Sequence, residues 1–150
     1  MGPSSESLAG TAEERLVASG DYRALAEFRF LCRQFLATSA GLARSRGLTP
    51  RQHQILLALA GRPEGALPTI GYLADRLLIQ HHGVVGLVDR LEAQGLVTRE
   101  HSTNDRRQVL VHLTDRGLTI LADLSASHQR ELRSLGPRLV RALSAIADQT

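Results

Sequence analysis

The chain contains no lysine; all 18 of its cations are arginines, set against 15 carboxylates for a formal net charge of +3 over 150 residues. The excess is spread out, with one net charge in each of residues 1–47, 76–116 and 117–150 and none in 48–75. Net charge alone is therefore thin support for a nucleic-acid partner, and an all-arginine set reads as compositional habit. Arginine does suit planar, bidentate contacts with phosphate or guanine. A single cysteine, Cys32, excludes an internal disulfide framework and a Cys-rich zinc module. No apolar run approaches the roughly 20 residues that span a bilayer. The opening residues are polar and slightly acidic, without the basic and apolar regions of a secretory leader, so the expected location is the cytoplasm, away from membranes.

With 43% hydrophobic and 22% charged residues, the composition is that of one globular domain with helical extensions. Residues 1–10, rich in Ser, Gly and Pro, are expected to fray. From 11 to about 45 the pattern is helical. Leu25, Phe28, Cys32, Phe35, Leu36 and Leu42 recur at three- and four-residue steps, a seam made to pack against another helix. Thr49-Pro50-Arg51-Gln52 is a helix start, with Thr49 as N-cap, Pro50 in the first position and Gln52 completing a capping box. Ile55, Leu56 and Leu59 continue that helix to Gly61, and a Gly/Pro loop follows over 61–68.

Thr69 begins a short helix through Ile70, Leu73, Ala74 and Leu77. A turn at Leu78–Gln80 leads into another, with Val84, Leu87, Val88 and Leu91 facing inward and Gly95 closing it in a Schellman arrangement that pairs Leu91 with Leu96. The period then changes. Val97–His101 and the alternating Val109, Val111 and Leu113 read as two strands around a polar tip, Ser102–Gln108. Thr114-Asp115 caps a helix expected to end near Leu135, before Gly136-Pro137, with a separate last helix carrying Leu139, Val140, Leu143, Ile146 and Ala147.

Three short helices and a hairpin make a mainly α, winged helix-turn-helix architecture flanked by N- and C-terminal helices. The second helix of the turn motif fits a major groove, and the hairpin reaches the neighbouring backbone or minor groove. Flanking helices that cannot bury their seams on so small a domain are expected to dimerise, which supplies two reading heads for a pseudo-palindromic site. The expected division is a DNA-binding region over 48–116 and a helical dimerisation region over 11–47 and 117–150.

Residues 48–117 resemble the MarR family of bacterial regulators. The resemblance rests on Leu48-Thr-Pro-Arg-Gln52, on Ile70-Gly-Tyr-Leu-Ala74 and on Leu87-Val-Asp-Arg-Leu-Glu-Ala-Gln-Gly-Leu-Val97. It is strongest in Asn104-Asp-Arg-Arg107 followed by a strand and Leu113-Thr-Asp-Arg-Gly117. It implies a dimeric, double-stranded-DNA-binding regulator, a repressor relieved by a small-molecule effector. Gln80, His81 and His82 open the recognition helix, where Gln pairs with adenine and His donates to guanine or phosphate. Val85 offers an apolar contact, and Arg90 is a backbone-contacting or structural residue. Arg107 is assigned to the minor groove or its phosphates, Arg106 to phosphate, and Asp105 braces the wing or orients Arg107. Gly83 and Gly86 depart from the family habit of polar residues here, which shifts weight from base readout to DNA shape.

The family's effector pocket lies where the first helix, the Thr49 helix and the helix after the wing converge. Phe28, Arg29, Phe35 and His53 are the candidates for an aromatic or phenolic ligand, against the plainer reading of core, dimer seam and surface. Some members sense oxidants through a cysteine on the first helix. Cys32 falls about two turns too late for that role, and an inert packing thiol is the expectation. No cofactor or metal is expected: neighbouring His81 and His82 point about 100° apart on a helix, and the other histidines lack ligand spacing. No nucleophile–base pair, phosphate-binding glycine loop or paired carboxylates mark an enzyme. The alternatives are a winged-helix protein-interaction module without DNA binding and a redox-responsive regulator through Cys32.

Overall fold

A computed structural model describes residues 11, 12, 14, 21–105 and 107–148. The fraying expected over residues 1–10 lies outside them, as does most of the helical pattern expected over 11–20. Along the chain come α1 (Asp21–Ser45), α2 (Pro50–Ala60), α3 (Ile70–Leu77), α4 (His81–Ala93), β1 (Val97–His101), β2 (Val109–Leu113) and α5 (Asp115–Ala147). The chain folds as two units, one made of residues 38–130 and the other of the residues up to 37 together with those from 131 onward.

In the first unit, local chemistry sets each helix start. The Thr49 hydroxyl accepts from the Gln52 amide at 3.2 Å, and the Gln52 side chain accepts from the Thr49 amide at 2.9 Å. This capping box satisfies two amides that the first turn leaves unpaired. Thr69 caps α3 through the Tyr72 amide at 3.0 Å. The faces turned inward from α2, α3 and α4 carry Ile55, Leu56, Leu73, Val84, Val88 and Leu91, each fully buried. Each such side chain contributes roughly 1.5–3 kcal/mol of hydrophobic stabilisation.

The end of α4 is a Schellman motif. Gly95 takes φ +74, the Leu96 amide donates to the Leu91 carbonyl at 2.9 Å, and the Gly95 amide donates to Glu92 at 2.9 Å. Leu91 and Leu96 are both buried beside it. The chain enters β1 directly, and β1 pairs antiparallel with β2 in a register that places Val97 opposite Leu113 and His101 opposite Val109. A further bridge joins Thr69 to Leu110, and the Val111 amide donates to the Pro68 carbonyl at 2.8 Å. The segment before α3 thereby ties the hairpin to the helices, a pairing the hydrophobic pattern did not reveal. Leu78, which ends α3, holds φ 55 and ψ 41. It is the only non-glycine residue with positive φ among the described residues, at a backbone cost of about 1 kcal/mol.

The long C-terminal helix differs from expectation at its proline. The helix after the wing does not stop at Leu135, because Pro137 lies inside a single 33-residue α5. Proline removes one intrahelical hydrogen bond at a cost of about 3 kcal/mol. Buried residues continue in one helical phase across it, from Leu124 and His128 to Leu135 and Ala142, and packing on both sides holds the helix together. On α1, the seam over Leu25, Phe28, Cys32, Phe35 and Leu36 is left largely unburied by the single chain. Ala24 and Leu31 are buried, Phe28, Cys32 and Phe35 are half-buried, and Leu25, Phe30 and Leu36 are exposed. Val140 and Leu143 on α5 are exposed as well. Within the second unit Arg138 binds Glu27 at 2.6 Å.

Candidate nucleic-acid interface

Helix α4 buries Val84, Leu87, Val88 and Leu91 and turns its other side outward. Its first turn carries no acidic residue. Gln80, the N-cap, has extended backbone and makes no side-chain cap bond, while its carbonyl accepts from Gly83 at 3.0 Å and Val84 at 3.3 Å. Gln80, His81 and His82 are therefore exposed side chains standing at the positive end of a helix dipole. Val85 is half-buried at the margin of the core. Arg90 is exposed. A methyl group added at Gly86 would meet nothing within 4 Å, and one at Gly83 would meet only the Ile79 side chain at 3.7 Å. Glycine here leaves bare backbone where larger side chains would fit.

The wing stands beside this helix across a cleft of about 510 Å³, lined among others by His81, Val85, Asp89, Arg99, Arg107 and Gln108. At the wing tip the Asp105 carboxylate accepts from the Arg107 amide at 3.0 Å, and the Asp105 carbonyl accepts from the Gln108 amide at 2.9 Å. Asp105 thus folds the tip through its backbone, and its side chain holds the Arg107 main chain. Arg107 is exposed and lines the cleft. The Arg106 assignment lies outside the described residues.

Arg99, on β1, was not singled out by sequence reasoning. Its guanidinium binds the Asp89 carboxylate, the Glu92 carboxylate at 3.2 Å and the Val85 carbonyl at 3.3 Å. Its amide also donates to Glu92 at 3.2 Å. One half-buried arginine from the wing thereby engages three positions along the recognition helix. It also neutralises the two carboxylates on the exposed side of α4. The available signal was the acidic pair three residues apart on α4, followed across a tight Gly95 turn by an arginine seven positions after Glu92.

The four effector-pocket candidates divide between the two units. Phe28 and Phe35 are half-buried and Arg29 is exposed on α1, while His53 belongs to the unit of residues 38–130. His53 is 2% exposed and stacks on His128, with ring centroids 4.8 Å apart and planes 7° apart. The His128 Nδ1 lies 2.7 Å from the Leu124 carbonyl, so it carries the hydrogen and donates; its Nε2 meets the Ser39 hydroxyl at 2.7 Å. The His53 Nδ1 is buried without a hydrogen-bond partner among the described residues. Burial, and then the neighbouring His128, lower the His53 pKa from its ordinary value of 6.5. Sequence spacing gave no sign of this pair, whose members lie on α2 and α5. Among the described residues no cluster of three or more His, Cys, Asp or Glu side chains could hold a metal ion, and no helix is long and apolar enough to cross a membrane.

Residues 46–108 match the MarR family. The chain is 30% identical over 128 residues to the HTH-type transcriptional regulator YkoM of Bacillus subtilis, covering 83% of this chain and 77% of that one. It is 36% identical over 72 residues to the HTH-type transcriptional repressor MdtR of the same organism, covering 48% of this chain and 44% of that one. Among solved structures it is similar to the S. aureus MepR–DNA complex, with a TM-score of 0.65 at 20% identity over 75% of this chain and 81% of MepR.

Proposed function

This chain belongs to the MarR family of DNA-binding transcriptional regulators, and we propose that it acts as a homodimeric, sequence-specific repressor of double-stranded DNA released by a small aromatic or phenolic effector. The observation that carries the reading is the exposed start of α4, with Gln80, His81 and His82, beside an arginine-bearing wing clamped to the same helix by Arg99. In this reading residues 48–116 bind DNA, and 11–47 with 117–150 form the dimer. Gln80, His81 and His82 contact base edges or phosphate, Val85 and Arg90 flank them, and Arg106 and Arg107 hold the adjoining backbone or minor groove. The exposed Leu25, Phe30, Leu36, Val140 and Leu143 support a second copy as the partner of the flanking helices. A repressive role is in keeping with the named activity of MdtR. The effector acts by population shift, favouring recognition-helix spacings that depart from the roughly 34 Å repeat of one duplex face.

The test is fluorescence anisotropy with duplex DNA taken from upstream of the protein's own gene, against a scrambled duplex, at two salt concentrations. Selective binding with dimer stoichiometry and a steep salt slope supports the proposal, because each neutralised phosphate releases counterions. Binding that stays weak and equal for every duplex, including those selected from a random pool, overturns it in favour of a protein-interaction module.

A further inference from the structure

The turn between α3 and α4 holds a residue that costs energy and gains nothing in the free protein. Leu78 adopts left-handed backbone, φ 55 and ψ 41, and its amide donates to the Ala74 carbonyl to close α3. Glycine or asparagine meets this geometry with less strain than leucine, whose Cβ crowds the following carbonyl. Its neighbours Leu77 and Ile79 both pack against the core, while the Leu78 side chain is 91% exposed. No burial in the protomer offsets the strain. Left-handed backbone at a non-glycine residue is a pointer toward function when the surroundings enforce it.

Position names the partner. Leu78 lies two residues before Gln80, and with His81 and His82 these form a nearly unbroken exposed stretch at the start of α4. When a recognition helix enters a major groove by its N-terminus, the turn before it borders the groove wall. Gln and His read donors and acceptors; neither offers a good surface to an apolar group. Leucine offers only that.

We propose that Leu78 is a DNA-contacting residue whose side chain packs on apolar duplex surface, a thymine methyl or a deoxyribose face, beside the start of α4. The inference rests on the DNA-binding reading above. Leu78→Asn keeps the left-handed backbone and removes the apolar contact. In the full-length protein it is expected to raise the Tm by about 2–4 °C. It is also expected to weaken binding to the selected operator by about 5- to 20-fold, the scale of one lost apolar side-chain contact. The salt slope stays unchanged, because no phosphate contact is lost. Operators carrying deoxyuridine for thymine separate the two sources. A single substitution that weakens wild type and leaves Leu78→Asn unaffected assigns the thymine methyl; uniform insensitivity with the Leu78→Asn loss retained assigns deoxyribose. Unchanged operator affinity in Leu78→Asn, with wild type binding selectively, overturns the Leu78 role and leaves the DNA reading standing. A changed oligomeric mass with unchanged affinity overturns it in favour of a protein contact. Wild type without selective DNA binding overturns both.

Discussion

A methyl group at position 117 would sit 2.2 Å from the Leu96 carbonyl oxygen, a backbone atom that cannot swing away. The same carbonyl accepts the Thr114 amide at 3.1 Å, and the Thr114 hydroxyl donates to the Gly95 carbonyl at 2.7 Å while accepting from the Gly117 amide at 3.1 Å. The Leu-Thr-x-x-Gly signature is therefore a stitch that fastens the start of α5 to the turn after α4, and glycine is required by close approach. Gly117→Ala is expected to destabilise the protein by roughly 2–4 kcal/mol, read as a lowered urea midpoint. A midpoint within error of wild type would refute the close approach. His53 makes a second prediction of residue scale. Its folded pKa lies below 6.5, so near and below that value the unfolded chain binds more protons than the folded one. The stabilising share of neutral His53 is complete above about pH 6.5 and is lost as pH falls through the lowered folded value. Urea midpoints should rise from pH 5 to 7.5, and a His53→Gln variant should show a shallower rise; an equal slope in the variant would assign the dependence elsewhere.

At the scale of elements, the Arg99 clamp determines how rigidly the wing accompanies α4. Arg99→Ala leaves Asp89 and Glu92 without their cation on the helix proposed to face DNA. Because those carboxylates are largely exposed, the stability loss should be about 1 kcal/mol. The loss in DNA affinity should be larger, about tenfold or more at low salt, because phosphate then meets two uncompensated negative charges. A loss of affinity no greater than the loss of stability, measured by anisotropy and urea titration together, would assign Arg99 a purely structural role. Elements whose cause is local were legible in the sequence: the Thr49 capping box, the Gly95 Schellman turn and both strands follow from a few adjacent residues. Elements decided by distant packing were not. Pro137 reads as a stop, yet the stripe from Leu124 through Leu135 to Ala142 keeps one phase across it, and that phase was the better guide. The stacked His53 and His128 lie 75 positions apart in the numbering and show no shared pattern. At the candidate interface, exposed residues such as Gln80 and Arg107 could be named from the fold motif, whereas Arg99, which joins helix to wing, left only the faint signal of an acidic pair on α4 followed across the Gly95 turn by an arginine, and its partners are set by tertiary geometry.

For the whole molecule, the decisive feature is apolar surface left over. Leu36 is 59% exposed and Val140 63%, on the stretches of α1 and α5 that lie outside residues 38–130. Single exposed leucines are ordinary, but a set of them repeating along two long helices is a surface made for a partner. The proposed second copy would satisfy it with closed two-fold symmetry and bring two copies of α4 into one particle. The double variant Leu36→Glu with Val140→Glu places charges on that surface without touching the buried Leu31 or the core of residues 38–130. Light scattering should then show the protomer mass where wild type shows twice that mass. Binding to a two-half-site operator should fall by about 100-fold or more, since the second half-site no longer benefits from the effective concentration that dimerisation supplies. Binding to an isolated half-site should change little. A variant that keeps the doubled mass would relocate the dimer contact to another surface, and one that becomes a protomer yet binds the full operator as wild type does would show that the two reading heads are not energetically linked.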